Sequence, residues 1–237
     1  MKKQKNPELS CIIITLNEEK YLPRLLNSLK KQTFKDFEVI VADANSKDKT
    51  RQVALKYGCK IAPGGKQSFA RNSGAKIAKG KYLLFLDADG MIKNKDFLKL
   101  NLEEIKKSKA GVASTYVKPL SRKAIDKILY GIYNLWVKGI KKISPHGTGA
   151  CILIKKSVFE KVNGFDEKVV FAEDHELLKR AKKHKFIILP VEIHTSTRRL
   201  EKEGRPKIIL KFLYAGMYRM FYKEISRNLF SYDKTEK

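Results

Sequence analysis

Cysteine is scarce and badly placed for covalent or metal work. Cys11, Cys59 and Cys151 are odd in number, far apart and in no C-x-x-C pair, which argues against a disulfide framework or a zinc site and fits a reducing compartment. Two phosphate-binding signatures are also missing. Neither G-x-x-x-x-G-K-[ST] nor G-x-G-x-x-G occurs, and "APGGKQS" has a glycine pair and a lysine without the required spacing, so neither an ATPase loop nor a dinucleotide fingerprint applies. No run reaches the ~20 apolar residues of a membrane-spanning helix. The opening "MKKQKNPELS" has positive charge but no apolar core before the first strand, and is not read as a signal peptide. Acids are the minority charge: 25 Asp and Glu against 51 Lys and Arg leave a net +26. That excess seeks anionic partners, whether nucleic acid, anionic lipid head groups or phosphorylated substrates, and charge by itself does not choose among them.

What is present reads as one α/β domain with additions, for 237 residues with no internal repeat or low-complexity tract. "SCIIITLN" is a buried strand, and "EEKYLPRLLNSLKKQ" a helix with Leu22, Leu25, Leu26 and Leu29 at helical spacing. "FEVIVADANS" is a second strand, "KDKTRQVALKYG" a helix ending at Gly58, "CKIAP" a short third strand and "SFARNSGAKIAKG" a further helix. "KYLLFLDADG" carries a continuous apolar run into two carboxylates, and "VASTYVKP" reads as another strand. Strands alternating with helices predict a mostly parallel sheet covered on both faces.

In such sheets ligands bind beyond the carboxyl ends of the strands. Strand alternation would point Asp87 and Asp89 the same way, with Gly90 turning the chain, a pairing suited to a hard divalent cation carrying a phosphorylated substrate; a solvated Asp-Ala-Asp-Gly turn is the alternative. Asp43 in "DANSKDKT" can accept hydrogen bonds from a base or ribose, or form an Asx turn with a helix cap. Arg71 can neutralise a diphosphate and Asn72 hold a neighbouring loop, or both can lie on a solvated helix face. Glu173 and Asp174 start a helix whose stripe is Leu177, Leu178 and Ala181, where amides and dipole favour carboxylates. His194, in "VEIHTSTRRL", can be a metal ligand or an ordinary surface or core residue.

Together "IIITLNEEKYL", "VADANSKDKT", "ARNSGAKIAKGKYLLFLDADG" and "VNGFDE…FAEDHELLKRA" resemble the family 2 glycosyltransferases, over roughly residues 9 to 200 and in the family's order. The resemblance implies the GT-A nucleotide-diphospho-sugar fold. It maps the family's metal- and diphosphate-binding Asp-x-Asp onto Asp87 and Asp89, its base contact onto Asp43, and its first-strand nucleotide segment onto Thr15, Asn17 and Glu18. Asp174 becomes the base that accepts the acceptor's proton, with Glu173 supporting it. Arg71 and Asn72 fall on the donor side, His194 matches a late histidine that some relatives place on the metal, and Arg198 and Arg199 resemble basic residues closing over the diphosphate. Leu200 stands where the Gln-x-x-Arg-Trp motif of processive synthases has Trp, so polymer synthesis is not expected. "DADGMIKN" lacks the Leu-Gln pair frequent in polyprenyl-phosphate sugar synthases, which makes that likeness partial.

Two segments sit apart. Between 121 and 143, Ile125, Ile128, Leu129, Ile132, Leu135, Trp136, Ile140 and Ile143 recur at helical spacing, with lysines off the stripe, predicting an amphipathic helical insertion in a domain of residues 1–205. The tail 206–237 predicts a basic amphipathic helical extension whose apolar stretch, about fifteen residues or ~22 Å, is short of a ~30 Å bilayer core and suited to lying in the interface or packing in a homodimer. The expectation is an inverting transferase dependent on Mg²⁺ or Mn²⁺. It would use a UDP- or GDP-linked sugar and a lipid-linked or membrane-presented acceptor, and would be peripheral on an anionic surface at the cytoplasmic face of the cell membrane. The alternatives are a polyprenyl-phosphate sugar synthase, a nucleotidyltransferase, or a non-catalytic membrane or nucleic-acid binder on the same fold; nucleic acid is not the expected partner.

Overall fold

The computed structural model describes residues 6–140, 145–169, 172–205 and 207. Strands β1 (Leu9–Thr15), β2 (Phe37–Asp43), β3 (Lys60–Pro63) and β4 (Tyr82–Asp87) alternate with helices α1 (Leu22–Lys30), α2 (Thr50–Lys56) and α3 (Gln67–Ile77). Then follow α4 (Phe97–Lys107), β5 (Val112–Pro119), α5 (Ala124–Ile140), β6 (Cys151–Lys155), α6 (Lys156–Lys161), α7 (Glu173–Ala181), β7 (Phe186–Thr195) and α8 (Arg198–Glu203). The strands form one sheet in the order β3-β2-β1-β4-β6-β5-β7. It is mostly parallel, as expected; β6 alone runs antiparallel, against both β4 and β5.

The apolar runs of β1 and β4 are strands because both faces are covered. Cys11, Ile13, Leu84 and Leu86 join one core with the leucine stripe of α1 and Phe97, Leu98, Leu102 and Ile105 of α4. Ile12, Leu83 and Phe85 point the other way, into a core closed by Ala70 and Ala75 of α3, Phe159 of α6 and Leu177 and Leu178 of α7. Truncating any of these large side chains to alanine would cost about 2–5 kcal/mol. α3 lies so close to β1 that a Cβ at Gly74 would sit 2.4 Å from Ile12 Cγ2. The register sets the working edge: Thr15 pairs with Asp43 and Ile14 with Asp87, so β1, β2 and β4 end together.

Several local expectations change. α1 starts at Leu22 rather than at the acidic pair, because Asn17 takes φ 54° and the amides of Glu18 and Glu19 donate to Thr50 Oγ1 (2.7 Å) and Asp48 Oδ2 (3.1 Å) instead of entering a helix. Arg198 and Arg199 begin a short helix. The insertion is a helix over Ala124–Ile140; residues 141–144 lie outside the described residues, as does the expected tail helix over 206–237 apart from Lys207. Among the described residues, no helix is long and apolar enough to cross a membrane.

Candidate active site

The carboxyl ends of β1 and β2 are stitched together. Thr15 Oγ1 donates to Asp43 Oδ1 (2.9 Å), and Ser46 donates to the same carboxylate through Oγ (2.5 Å) and its amide (3.1 Å). Asp43 therefore makes an Asx turn and is buried at the carboxyl edge of the sheet. Asn17 receives the amide of Lys47 on its Oδ1 (2.8 Å) and donates its own amide to Ser46 Oγ (2.9 Å), pinning the loop after β1 to the loop after β2.

Asp87 is the last residue of β4, and the amide of Gly90 donates to its carbonyl (3.1 Å), so the chain is already turning at Asp89. The alternation expected to align the two carboxylates thus stops at Asp87; their proximity comes from the turn. Asp89 is held by Arg198, whose Nε lies 3.3 Å from Oδ2, and its carbonyl accepts Arg24 Nη2 at 2.6 Å. Arg198 also grips Glu18 with both terminal nitrogens (Nη1 to Oε2, 3.0 Å) and lies 4.7 Å over the Tyr21 ring, which Arg24 approaches to 5.7 Å. Burial, followed by the neighbouring Asp87 charge, pushes the Asp89 carboxyl up to about 6 despite Arg198.

A second guanidinium organises the opposite side. Arg71 is 2 % exposed; Nη1 meets Glu173 Oε1 at 2.5 Å, while Nη2 meets Asp87 Oδ1 at 3.1 Å and the Gly149 carbonyl at 3.4 Å. Burial pushes the Glu173 carboxyl up and Arg71 pulls it back. Asp174, beside it at the start of α7, is also buried, and the preceding Ala172 holds a left-handed φ of 56°, an unfavourable backbone state that aims the helix start at the site. Asn72 takes the structural option: it binds both backbone groups of Phe165 (2.9 Å each) and Glu167 Oε1 (2.9 Å), clamping the loop that leads to α7. Gly164, at φ 62°, is required there, since a Cβ would lie 2.7 Å from Asn72 Oδ1.

Thr15, Glu18, Asp43, Arg71, Asp87, Asp89, Glu173 and Asp174 are therefore gathered along one edge. His194 reaches the edge by backbone only. Met91 and His194 exchange two hydrogen bonds (2.8 and 3.1 Å), but the charged groups its ring senses are Lys93, Glu192 and Lys118. Among the described residues its buried Nδ1 meets no hydrogen-bond partner and no group of three His, Cys, Asp or Glu converges on a point, so the expected ligand set of Asp87, Asp89 and His194 is not assembled. The cause is β7, which puts His194 on the face of Glu192 and opposite Lys118. Arg199 pairs with Glu203 along its own helix (3.0 Å). Sequence reading missed Tyr21, Arg24 and Gly149, as well as the edge-on ring contacts of Trp136, His146 and His175 beside Asp174. Tyr21 and Arg24 carried one available signal, for they lie in the quoted segment after the first strand.

Residues 10–162 match the model of glycosyl transferase family 2. The chain belongs to this family. An uncharacterized glycosyltransferase of Rickettsia prowazekii, RP339, is 30 % identical over 192 residues, covering 73 % of this chain and 58 % of that protein. The chain thus spans little more than half the length of that relative. The crystal structure of Staphylococcus aureus TarS 1–349 with UDP-GlcNAc superposes with a TM-score of 0.64 at 26 % identity, over 80 % of this chain and 58 % of that one. A Campylobacter jejuni GalNAc(5)-diNAcBac-PP-undecaprenol beta-1,3-glucosyltransferase is 35 % identical over 96 residues, covering 35 % of this chain and 30 % of that protein.

In this family 2 chain the seven-stranded sheet flanked by helices is the GT-A architecture. The arrangement has two chemically distinct sides. On one, Asp43, Asp87 and Asp89 stand beside the guanidinium groups of Arg24 and Arg198, groups of the kind that bind phosphate oxygens. Glu173 and Asp174 offer carboxylates suited to taking a proton. Arg71 touches both sides at once.

Proposed function

We propose that the chain transfers a sugar from a UDP- or GDP-linked donor, with inversion, to a lipid-linked or membrane-presented acceptor. The observation that supports this reading is the buried guanidinium of Arg71, which ties Asp87 at the end of β4 to Glu173 and so holds the adjoining Asp174 close to that strand end. Asp174 would take the proton of the acceptor hydroxyl as its oxygen attacks the anomeric carbon from the face opposite the leaving group. Arg24 and Arg198 would face the nucleoside diphosphate as it departs.

Asp87 and Asp89 fit a divalent cation, Mg²⁺ or Mn²⁺: the Asp89 carboxyl is raised by burial and then by the neighbouring Asp87 charge even beside Arg198, and a cation between them would relieve that crowding of negative charge. When bound, that cation would offset the diphosphate charge. The UDP-GlcNAc complex of TarS supports a nucleotide-sugar donor, and the name of the Campylobacter relative supports a lipid-linked acceptor. The net +26 charge supports a peripheral position on an anionic membrane, which we place at the cytoplasmic face.

Isothermal titration of UDP- and GDP-sugars with Mg²⁺ or Mn²⁺, repeated with chelator and with Asp89→Ala, tests the reading. Donor affinity should fall at least about tenfold in the variant, the order expected for losing a charged contact to the diphosphate, and chelator should add little to that loss. No binding of any nucleotide sugar, or release of pyrophosphate in place of sugar transfer, would overturn it.

A further inference from the structure

Helix α5 carries its polar-tipped residues inward and its aliphatic residues outward. Inward, Asp126 is fully buried against Arg205 (2.7 and 3.0 Å), Tyr130 Oη meets Thr195 Oγ1 (3.0 Å), and Asn134 bridges both backbone groups of Val117 (3.1 and 2.8 Å). Tyr133 and Val137 complete that side. Outward, Ile125, Ile128, Ile132, Leu135 and Trp136 are 42–68 % exposed. At about 100° per residue these five fall within one stripe about 100° wide, roughly opposite the inward set. A helix meant for water on that side would reverse this assignment.

The charge around the stripe identifies its partner. Arg122, Lys127 and Lys138 are exposed beside it, Lys123 pairs with Glu201 (3.4 Å), and the only acid from 121 to 140 is Asp126, which is spent on Arg205. A second copy of the chain would set basic flanks against basic flanks. The chain beyond Lys207 is no better partner, since Lys211, Arg219, Lys223, Arg227, Lys234 and Lys237 outnumber Glu224, Asp233 and Glu236. An apolar medium with an anionic border satisfies both features.

The stripe also leads to the site. Trp136 meets His146 edge-on (centroids 4.1 Å, planes at 76°), His146 meets His175 edge-on (3.6 Å, 65°), and His175 Nε2 lies 3.9 Å from Asp174 Oδ2. We propose that the outward face of α5 inserts into the head-group and acyl boundary of an anionic leaflet, so that an amphiphilic acceptor passes from the leaflet along Trp136 to Asp174. The docking surface stands on α5 itself, and the delivery of an acceptor rests on the transferase reading above.

The chain contains a single tryptophan, Trp136, which makes the test direct. Vesicles of phosphatidylcholine with phosphatidylglycerol should blue-shift its emission, acyl-brominated lipids should quench it, and added salt should weaken both. Ile132→Glu/Leu135→Glu should reduce vesicle partitioning about tenfold or more, because two buried aliphatics become charges. Unchanged thermal melting and unchanged nucleotide-sugar affinity in the same variant would show that the fold and donor site are intact. Tryptophan emission indifferent to lipid, or a variant that binds vesicles like the parent, would overturn the proposal. So would a variant that splits a dimer with vesicle binding unchanged. Loss of donor binding with lipid insertion preserved would instead sink the transferase reading alone.

Discussion

Replacing Arg71 with leucine should be among the most damaging single changes in the chain, for a reason separate from any contact with substrate. The side chain is 2 % exposed and its main partner, Glu173, has a side chain 6 % exposed, so removing the guanidinium leaves a carboxylate stranded in the interior. Breaking such a pair by deleting one partner costs about 3–5 kcal/mol, whereas the second contact, to the more exposed Asp87, adds at most about 1 kcal/mol. The sign of the pH dependence follows. Burial already raises Glu173, and without Arg71 it rises further, so the folded variant binds a proton that the unfolded chain releases near its ordinary value of ~4.3. The variant should therefore be closest to the parent near pH 5 and lose ground as pH rises through the raised value. Urea unfolding followed by circular dichroism at pH 5 and pH 8 measures this. Adding Glu173→Gln to Arg71→Leu should recover more than half of the loss at pH 8, because it removes the stranded charge. A single variant within about 1 kcal/mol of the parent, or a double variant no more stable than the single, would refute the claim that Arg71 is held by a buried charge pair.

Asp174→Asn preserves shape while removing the basic lone pair, so turnover should fall about 10²–10⁴-fold with donor affinity nearly unchanged in titration; turnover close to the parent would move the proton to Glu173 or to an acceptor already ionised. Glu38 lies on β2 away from the site, where Lys60 Nζ (2.5 Å), the Lys79 amide (2.6 Å) and Ser10 Oγ (2.7 Å) hold its carboxyl below the usual range in spite of burial. That contribution is present above ~4.3 and is lost as pH falls through the lowered folded value. Glu38→Gln should therefore cost about 1 kcal/mol at pH 7, after discounting for solvent screening, and nothing by about pH 2 in urea titrations; a pH-independent difference would exclude the ionic origin.

The parts legible in the sequence are those in which neighbours along the chain decide the outcome. "KYLLFLDADG" announces a buried strand by its apolar run and its turn, and Leu177, Leu178 and Ala181 announce the buried side of α7 by spacing; Leu83 to Leu86 and all three α7 residues are buried as that pattern requires, while Tyr82 is half-buried. β6 was not anticipated, for Cys151–Lys155 is five residues long and passes into α6 at Lys156 with no turn residue between them. The α5 stripe was legible as a period but not as a direction. Ile128, Ile132 and Leu135 form the face that a water-soluble helix would bury, and only the distant partners of Asp126, Tyr130 and Asn134 turn it outward.

The same distinction separates the motif residues from their roles. Arg71 lies 102 positions from Glu173, and Arg198 lies 180 from Glu18, so no window on the chain contains either pair. Motif resemblance placed all four at the site without revealing that each arginine is already engaged by protein acids. That engagement has a mechanistic consequence. On the proposed reading, a diphosphate that binds Arg198 would have to compete with Glu18 and Asp89, so donor affinity would report the difference between two charged contacts rather than the full strength of one. Arg71, buried with Asp87 and Glu173, would have to give up a buried ion pair to reach a ligand, a larger cost than Arg198 faces at its half-exposed position.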